Sequence, residues 1–556
     1  MKGGIYVILA LFSAWVAVAD TTPDVKWSYP PRAWPRWEIL RARAYTYSHG
    51  LYVGYPCVLS AALQCATFRD AAGREISVSA SSCGGVPCVR GVGYETRDES
   101  GAWTKCDVFV GTDDTPPHLL DFDPVRINPT VTEGLYALPG ETVAYIFCTA
   151  ATRPDLYVGE SREEALNEDR QWFEQDCTMI PTGLPGQWRS SAPLAFRFYR
   201  FRGPVAETWV VRNELDETIR DPFKSDNPRR QKIWQAAANT VRLCTRRFFV
   251  DAVKRDRLPW PGDDAINFLA DASTYRNAEA ARFTIDALSC ATFDGFHDYS
   301  PWWVILNGLY RRHYDDLDYV RRRWTVIRSR TDTLAKGLRP DGLKDFEFGR
   351  PVFIDWGERG RSPTTAYNIL LFGAFRTAAA LAEEIGETGD ASRYSALAHR
   401  MRTALMTVAY DADAGLFRSD INSSDEPFYP QPNLLAVLFG LVDGKQAQAI
   451  GDRLARGDVP EPGSTWMKGL EYIALMITGH SDVVLKRIDE GWGEMVDRGF
   501  DVTFEHAWPG AKGAEAYQFY NRRFGLSLCH MTGASPAFLL PRIEAGDFSN
   551  PFELAD

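Results

Sequence analysis

The feature that most constrains this chain is a change of hydrophobic period near residue 228. From Arg229 onward apolar residues recur at helical spacing, with Ile233, Ala237, Val241, Cys244 and Phe248 on one face. The pattern predicts twelve helices, over residues 229–250, 262–273, 276–290, 300–313, 315–335, 363–386, 388–408, 430–441, 443–456, 465–478, 480–498 and 525–539. Joined as hairpins, they suit six pairs closed into an (α/α)6 toroid; an irregular helical array satisfies the same spacing. Before the boundary the period is two. Thr142–Phe147, Ala195–Phe201 and Val205–Val211 alternate or are β-branched and aromatic, with Pro, Gly and Asp clusters between such runs. Many short strands with turn signals predict a sandwich.

The expected fold class is therefore multidomain, β plus α. A β-sandwich-like domain over 20–228 precedes an (α/α)6 barrel over 229–545, with a C-terminal tail over 546–556. At 556 residues the chain is longer than one hydrophobic core usually supports.

Residues 1–19 read as a signal peptide: Lys2, an apolar run from Ile5 to Val18, and Ala17-Val18-Ala19 ahead of Asp20. No later stretch has the length of a membrane span. The expectation is a secreted or periplasmic protein with no membrane attachment after cleavage. Seven of the ten cysteines lie before residue 180, namely Cys57, Cys65, Cys83, Cys88, Cys106, Cys148 and Cys177. In an exported domain this clustering predicts disulfides, up to three bridges with one thiol left over. Cys244, Cys290 and Cys529 lie in apolar helical contexts and read as buried thiols. No Cys or His pair has metal-ligand spacing with a second pair to complete it, so no metal and no other cofactor is expected. A net charge of −11 repels phosphate backbones and argues against nucleic acid as a partner. The 17 Trp suit stacking on sugar faces and a large core equally well. The oligomeric state is left open.

The chemistry concentrates in the connections between helices. Asp251-Ala252-Val253-Lys254-Arg255-Asp256-Arg257-Leu258-Pro259-Trp260-Pro261-Gly262-Asp263 packs carboxylates, cations and a Trp into one Pro/Gly-shaped loop. Cations lower carboxylate pKa values, whereas burial or like charge raises them, so such a loop can hold one Asp protonated and its neighbours ionised. A solvated loop with local ion pairs is the plain alternative. Glu505, in Phe500-Asp501-Val502-Thr503-Phe504-Glu505-His506, lies among apolar neighbours and needs a partner or a purpose. It can activate a water, or simply pair with Arg498, Arg522 or Arg523. In Val352-Phe353-Ile354-Asp355-Trp356-Gly357, Trp356 suits a sugar-stacking wall or core packing equally well, and Asp355 suits a hydroxyl contact. In Asp298-Tyr299-Ser300-Pro301-Trp302-Trp303, Tyr299 is the candidate wall, and Trp302 and Trp303 read as core. His530, within Leu528-Cys529-His530-Met531, is expected on a helix face.

The ordered set resembles the α-L-rhamnosidases, six-hairpin inverting glycosidases of glycoside hydrolase family 78. The loop 251–263 is similar to that family's signature. Gly159-Glu160-Ser161 with Glu163-Glu164-Ala165, Phe353-Ile354-Asp355-Trp356, Thr503-Phe504-Glu505 and Ser527-Leu528-Cys529-His530 follow in the family's order, although the family usually has Trp where Phe504 stands. The resemblance implies that Asp256 is the general acid and Glu505 the general base. It implies that Asp251, Arg255, Asp263 and His530 hold sugar hydroxyls and that Trp260 and Trp356 line the pocket. The implied partner is a rhamnose-containing glycan or glycoside. An inverting pair stands about 6.5–9.5 Å apart with a water between. Two rivals share the scaffold: a carbohydrate-binding protein without turnover, and a six-hairpin lyase or phosphorylase.

Overall fold

The computed structural model describes residues 25–30, 65–79, 87–97, 101–111 and 125–553, except 183, 192, 213, 216, 247, 290–295, 346–351, 356–362, 424–427, 507–509, 511 and 520. The expected signal peptide, Cys57, Cys83, Cys290 and Trp356 lie outside the described residues.

The N-terminal half is β structure. β1 (Val25–Tyr29), β4 (Val89–Arg90) and β7 (Asp107–Gly111) form one small antiparallel sheet; β2 (Cys65–Arg69), β3 (Glu75–Ser79), β5 (Glu95–Arg97) and β6 (Trp103–Lys105) form another. The large sheet is built on β10 (Leu135–Thr149). Around it lie β8 (Val125–Ile127), β9 (Thr130–Thr132), β11 (Asp155–Gly159), β12 (Met179–Pro181), β13 (Gln187–Ser190), β14 (Leu194–Arg202) and β15 (Glu207–Arg212). β10 pairs antiparallel with β9 and β14 along its first part and with β13 and β15 along its second, and its register shifts between Ala137 and Thr142. Its alternation sorts the side chains. Ala144, Ile146 and Cys148 enter the sheet's own core, whereas Val143 points the other way, into the core of the helical domain. One strand thereby joins the two domains.

The short helix α1 (Arg162–Leu166) belongs to the β domain. Twelve helices then follow among the described residues: α2 (Pro228–Cys244), α3 (Asp263–Ala272), α4 (Ala278–Ser289), α5 (Tyr299–Tyr314), α6 (Leu317–Ala335), α7 (Thr364–Ile385), α8 (Thr388–Val408), α9 (Pro430–Leu438), α10 (Gly444–Arg456), α11 (Thr465–Ile477), α12 (Ser481–Asp497) and α13 (Ser535–Ala545). The odd members from α3 onward make a closed ring. α3 packs on α5, α5 on α7, α7 on α9, α9 on α11, α11 on α13, and α13 back on α3. The even members lie outside. Burial records the difference: α7 is buried on every side from Thr364 to Phe375, whereas α8 buries one stripe, Tyr394, Ala398, Met401 and Leu405. The expected (α/α)6 toroid is the observed fold.

Connections from inner to outer helices are short, at 273–277, 315–316, 386–387, 439–443 and 478–480. Those from outer to inner are mostly longer, at 245–262, 290–298, 336–363, 409–429, 457–464 and 498–534. All six of the latter therefore gather at the N-terminal ends of the inner helices. Every chemistry-bearing stretch singled out above lies on them or at their edges.

Four expectations are corrected. The first helix ends at Cys244, because Thr245 and Phe249 pair across a tight turn and Val250 N–H donates to the Cys244 carbonyl. The last helix begins at Ser535; Leu528 and Cys529 donate their N–H groups to Glu160 and His530 donates to Thr503, so this backbone is committed sideways. His530 is accordingly extended, not on a helix face. Cys106, Cys148 and Cys177 are free thiols, which excludes three bridges among the seven N-terminal cysteines; burial pushes the Cys148 thiol up to about 12.

Gly373 on α7 tests the packing. A Cβ there would come within 2.7 Å of the Phe439 ring, which Trp302 and Phe552 hold from other sides. Helix propensity favours Ala by about 0.8–1.0 kcal/mol. Overpacking opposes it by about 1–3 kcal/mol. With the ring caged, we expect Gly373→Ala to lower the melting temperature; an equal or higher one would show that the ring yields.

Candidate active site

The loop between α2 and α3 is shaped by its first residue. Asp251 is buried, and its Oδ1 accepts the N–H groups of Ala252 (2.8 Å) and Leu258 (3.1 Å). Its Oδ2 accepts Trp260 Nε1 (3.2 Å), and its own N–H donates to the Leu258 carbonyl (2.9 Å). The loop is thereby drawn into a ring around one carboxylate. Burial, then repulsion from Asp256 and Asp263, pushes the Asp251 carboxyl well above the ordinary range. At the apex Asp256 and Arg257 are both left-handed, with φ of 59° and 53°. Non-glycine residues there cost about 1–3 kcal/mol each unless the surroundings over-determine them. Arg257 supplies the restraint: its guanidinium donates to the carbonyls of Val253 (2.6 Å) and Pro193 (2.9 Å) and to Gln175 Oε1 (3.4 Å). Two of those three acceptors belong to the β domain.

The β domain also supplies the floor. Lys254 is buried, with Nζ 3.0 Å from Glu160, 3.4 Å from Glu164 and 3.0 Å from the Phe524 carbonyl. The two glutamates outweigh the burial that would otherwise lower the Lys254 pKa, and the net shift is upward. Burial raises Glu164 to about 7. Removing one member of such a buried set costs about 3–5 kcal/mol, because the remaining charge is stranded. Glu160 additionally accepts the N–H groups of Leu528 (2.8 Å) and Cys529 (3.2 Å). This fixes the closing segment, where His530 pairs with Ala252 and donates to the Thr503 carbonyl (2.9 Å). Glu505 follows on the same short run. Its N–H donates to Ser527, and its carbonyl accepts Thr465 Oγ1 (2.7 Å) from the start of α11.

Arg255 brings the two key carboxylates together. Its Nη1 lies 3.0 Å from Asp256, its Nη2 is in contact with Glu505, and its Nε donates to the Gly525 carbonyl (2.9 Å). The side chain of Asp256 is 20% exposed and that of Glu505 is 9% exposed, and both pair with one buried cation. Glu505 thus pairs with Arg255 rather than with Arg498 or Arg522: Arg498 lies over aromatic rings, and Arg522 Nε is 2.9 Å from Glu174. Asp263, the first residue of α3, is pushed up to about 8, first by burial and then by the charges of Glu505 and Asp256. His530 is buried, with Nδ1 2.8 Å from Thr532 Oγ1; burial and then Arg255 lower it to about 3, which keeps the ring neutral.

Aromatic residues flank this group. The Trp260 and Tyr299 rings are 5.7 Å apart, and Phe353 lies 6.3 Å from Tyr299 and stacks on Trp466. Trp302 and Trp303 are fully buried, as core. Asp355 is not a free hydroxyl contact. It is buried, and its oxygens accept Gln431 Nε2 (2.9 Å) and Ser464 Oγ (2.9 Å), tying together the starts of α9 and α11. The structure therefore brings Asp251, Arg255, Asp256, Trp260, Asp263, Tyr299, Glu505 and His530 to one end of the barrel. Sequence reading gave no role to Lys254 or Thr465. It also passed over Phe519, whose ring lies 5.7 Å from the Arg255 guanidinium carbon. Glu160 carried a signal through its motif; Phe519, a lone aromatic in a loop, carried none.

Residues 221–543 match the family described as the bacterial alpha-L-rhamnosidase 6 hairpin glycosidase domain. No curated protein matches the chain. Among solved structures, the rhamnosidase from Klebsiella oxytoca with rhamnose bound aligns with a TM-score of 0.63 at 20% identity, over 74% of this chain and 87% of that one. The family 78 rhamnosidase of Bacillus sp. GL1 aligns at 0.62 and 19% identity, over 75% of this chain and 47% of that one. The Streptomyces avermitilis α-L-rhamnosidase complexed with L-rhamnose aligns at 0.56 and 17% identity, over 86% and 51%. At such identities the likeness concerns the fold. The matched stretch, by contrast, runs from just before α2 into α13 and takes in the whole ring, and the chain belongs to the bacterial α-L-rhamnosidase family of six-hairpin glycosidases.

Proposed function

We propose that this protein is an exported, inverting α-L-rhamnosidase that releases a terminal rhamnose from a glycan or glycoside without a metal. The observation that carries the reading is the meeting of Asp256 and Glu505 on adjacent nitrogens of the Arg255 guanidinium, at the mouth where the long connections gather. Hydrolysis with inversion needs an acid at the leaving oxygen and a base for water on the opposite face of the ring. Asp256, the more exposed of the two, is assigned the protonation of the leaving oxygen. Glu505, oriented by Arg255 and by a backbone fixed on both sides, takes the proton of the attacking water. The carboxyl of Asp263, held neutral by burial, donates a hydrogen bond to a sugar hydroxyl instead of repelling it. Trp260 and Tyr299 offer ring faces to the sugar, and neutral His530 offers a hydrogen-bonding edge.

On this reading Glu505→Gln lowers turnover of an aryl α-L-rhamnoside by about 10²–10⁴-fold with the fold intact, and wild-type activity in that variant rejects the assignment. Proton NMR of the first-formed sugar shows the anomer opposite to the substrate; release of the same anomer excludes inversion.

The elevated Asp263 pKa has a consequence for stability. The folded protein holds this proton more tightly than the unfolded chain does. The group therefore favours the fold in acid, and that contribution is lost as pH rises from about 4 towards about 8. Asp263→Asn removes the dependence, so its melting temperature gains on the wild type as pH rises across that window. A difference between the two that does not change with pH would show that Asp263 titrates normally.

A further inference from the structure

A cavity of about 540 Å³ lies on the seam between the β domain and the barrel. Its walls come from α1 and β14 on one side and from α12 and the α12–α13 connection on the other. That same connection carries Glu505. Four cations line it: Arg162, Arg197, Arg498 and Lys512. None of them lies within ion-pair distance of a carboxylate among the described residues. Arg498 lies over rings, 5.1 Å from the centre of Tyr517, 5.5 Å from Phe500 and 5.9 Å from Phe504. Arg197 donates Nη1 to the Gly499 carbonyl (2.6 Å), while its Nε is buried with no acceptor. The two carboxylates in the lining are otherwise engaged. Glu494 accepts the Gly510 N–H (3.1 Å), and Glu163 accepts the Tyr517 hydroxyl (3.5 Å). Beyond the lining, the charge of Asp501 acts on Arg197; four cations against two engaged carboxylates in the lining, in a chain of net charge −11, still leave a local positive excess that suits an anion.

We infer that this cavity is an ancillary binding site for a carboxylate-bearing sugar, a uronate residue of a glycan. The anion follows from the cations, because guanidinium groups match a carboxylate in a forked geometry. The sugar follows from the size and the aromatic lining: the volume falls in the range of small-molecule pockets, and Phe198, Phe500 and Tyr517 supply apolar surface beside the charges for the C–H face of a ring. This second part rests on the carbohydrate reading of the catalytic mouth. Arg162 and Lys512 are exposed, so they carry the recognition at little expense to folding.

The test is calorimetric titration of the full chain with trigalacturonate, with maltotriose and inorganic sulfate as controls, at low and high salt. We expect trigalacturonate to bind, more weakly in salt, and maltotriose to bind at least roughly tenfold less tightly. An Arg162→Ala/Lys512→Ala double variant should lose roughly tenfold or more in affinity at an unchanged melting temperature. Equal affinity of variant and wild type, equal binding of maltotriose, or sulfate binding as tightly as trigalacturonate would each overturn the site. Turnover of an aryl α-L-rhamnoside, measured in parallel, separates the two readings. Turnover without trigalacturonate binding rejects the ancillary site alone, and binding without turnover keeps the site and rejects the hydrolase.

Discussion

A single buried guanidinium organises the chemistry of this molecule. Arg255 touches Asp256 from its own loop and Glu505 from a connection some 250 positions later in the chain, and it holds the Gly525 carbonyl with its third nitrogen. A cation buried this deeply is tolerated only when its donors are matched, and here the match is made by Asp256, Glu505 and the Gly525 carbonyl. The pair and the cation thereby position one another. Around them the electrostatics divide the remaining carboxyls: Asp251 and Asp263 are pushed toward the neutral form, and His530 is kept uncharged. The mouth therefore presents hydrogen-bond donors and acceptors to a neutral sugar without an accumulation of negative charge.

The barrel does not assemble this centre by itself. Asp256 occupies a left-handed conformation that Arg257 holds by reaching Pro193 and Gln175, and the closing segment at Leu528 and Cys529 is seated on Glu160. Lys254, one residue before Arg255, ties both glutamates of the β domain to the loop. The β domain is thus part of the site's support. This gives a physical meaning to the motif from Gly159 to Ala165, which names no catalytic group.

Much of this was legible in the sequence, and the reasons are specific. Stripes such as Tyr394, Ala398, Met401 and Leu405 impose the helical period, so helix number and order could be read directly. The loop 251–263 announced itself through charge and Pro/Gly content. What failed to show were states fixed by long-range partners. The segment before α13 has helical composition, yet Glu160, some 370 residues upstream, takes its N–H groups and keeps it extended. Asp355 looked like a hydroxyl contact because nothing in its neighbourhood reveals Gln431 and Ser464. The clustered cysteines suggested covalent bridges, but Cys148 and Cys177 instead fill the sheet's core as small apolar groups. Pairings between distant side chains leave no periodic trace.

The seat that Glu160 provides for residues 528 and 529 has a temporal consequence. Domains form as units during synthesis, the N-terminal one first. The β-domain anchor for the Asp256 turn thus exists before the barrel emerges from the ribosome, while the Leu528–His530 segment that braces the loop from its other side is among the last parts translated. A nascent chain that stops short of Leu528 would hold both Asp256 and Glu505, but without this brace beside the loop.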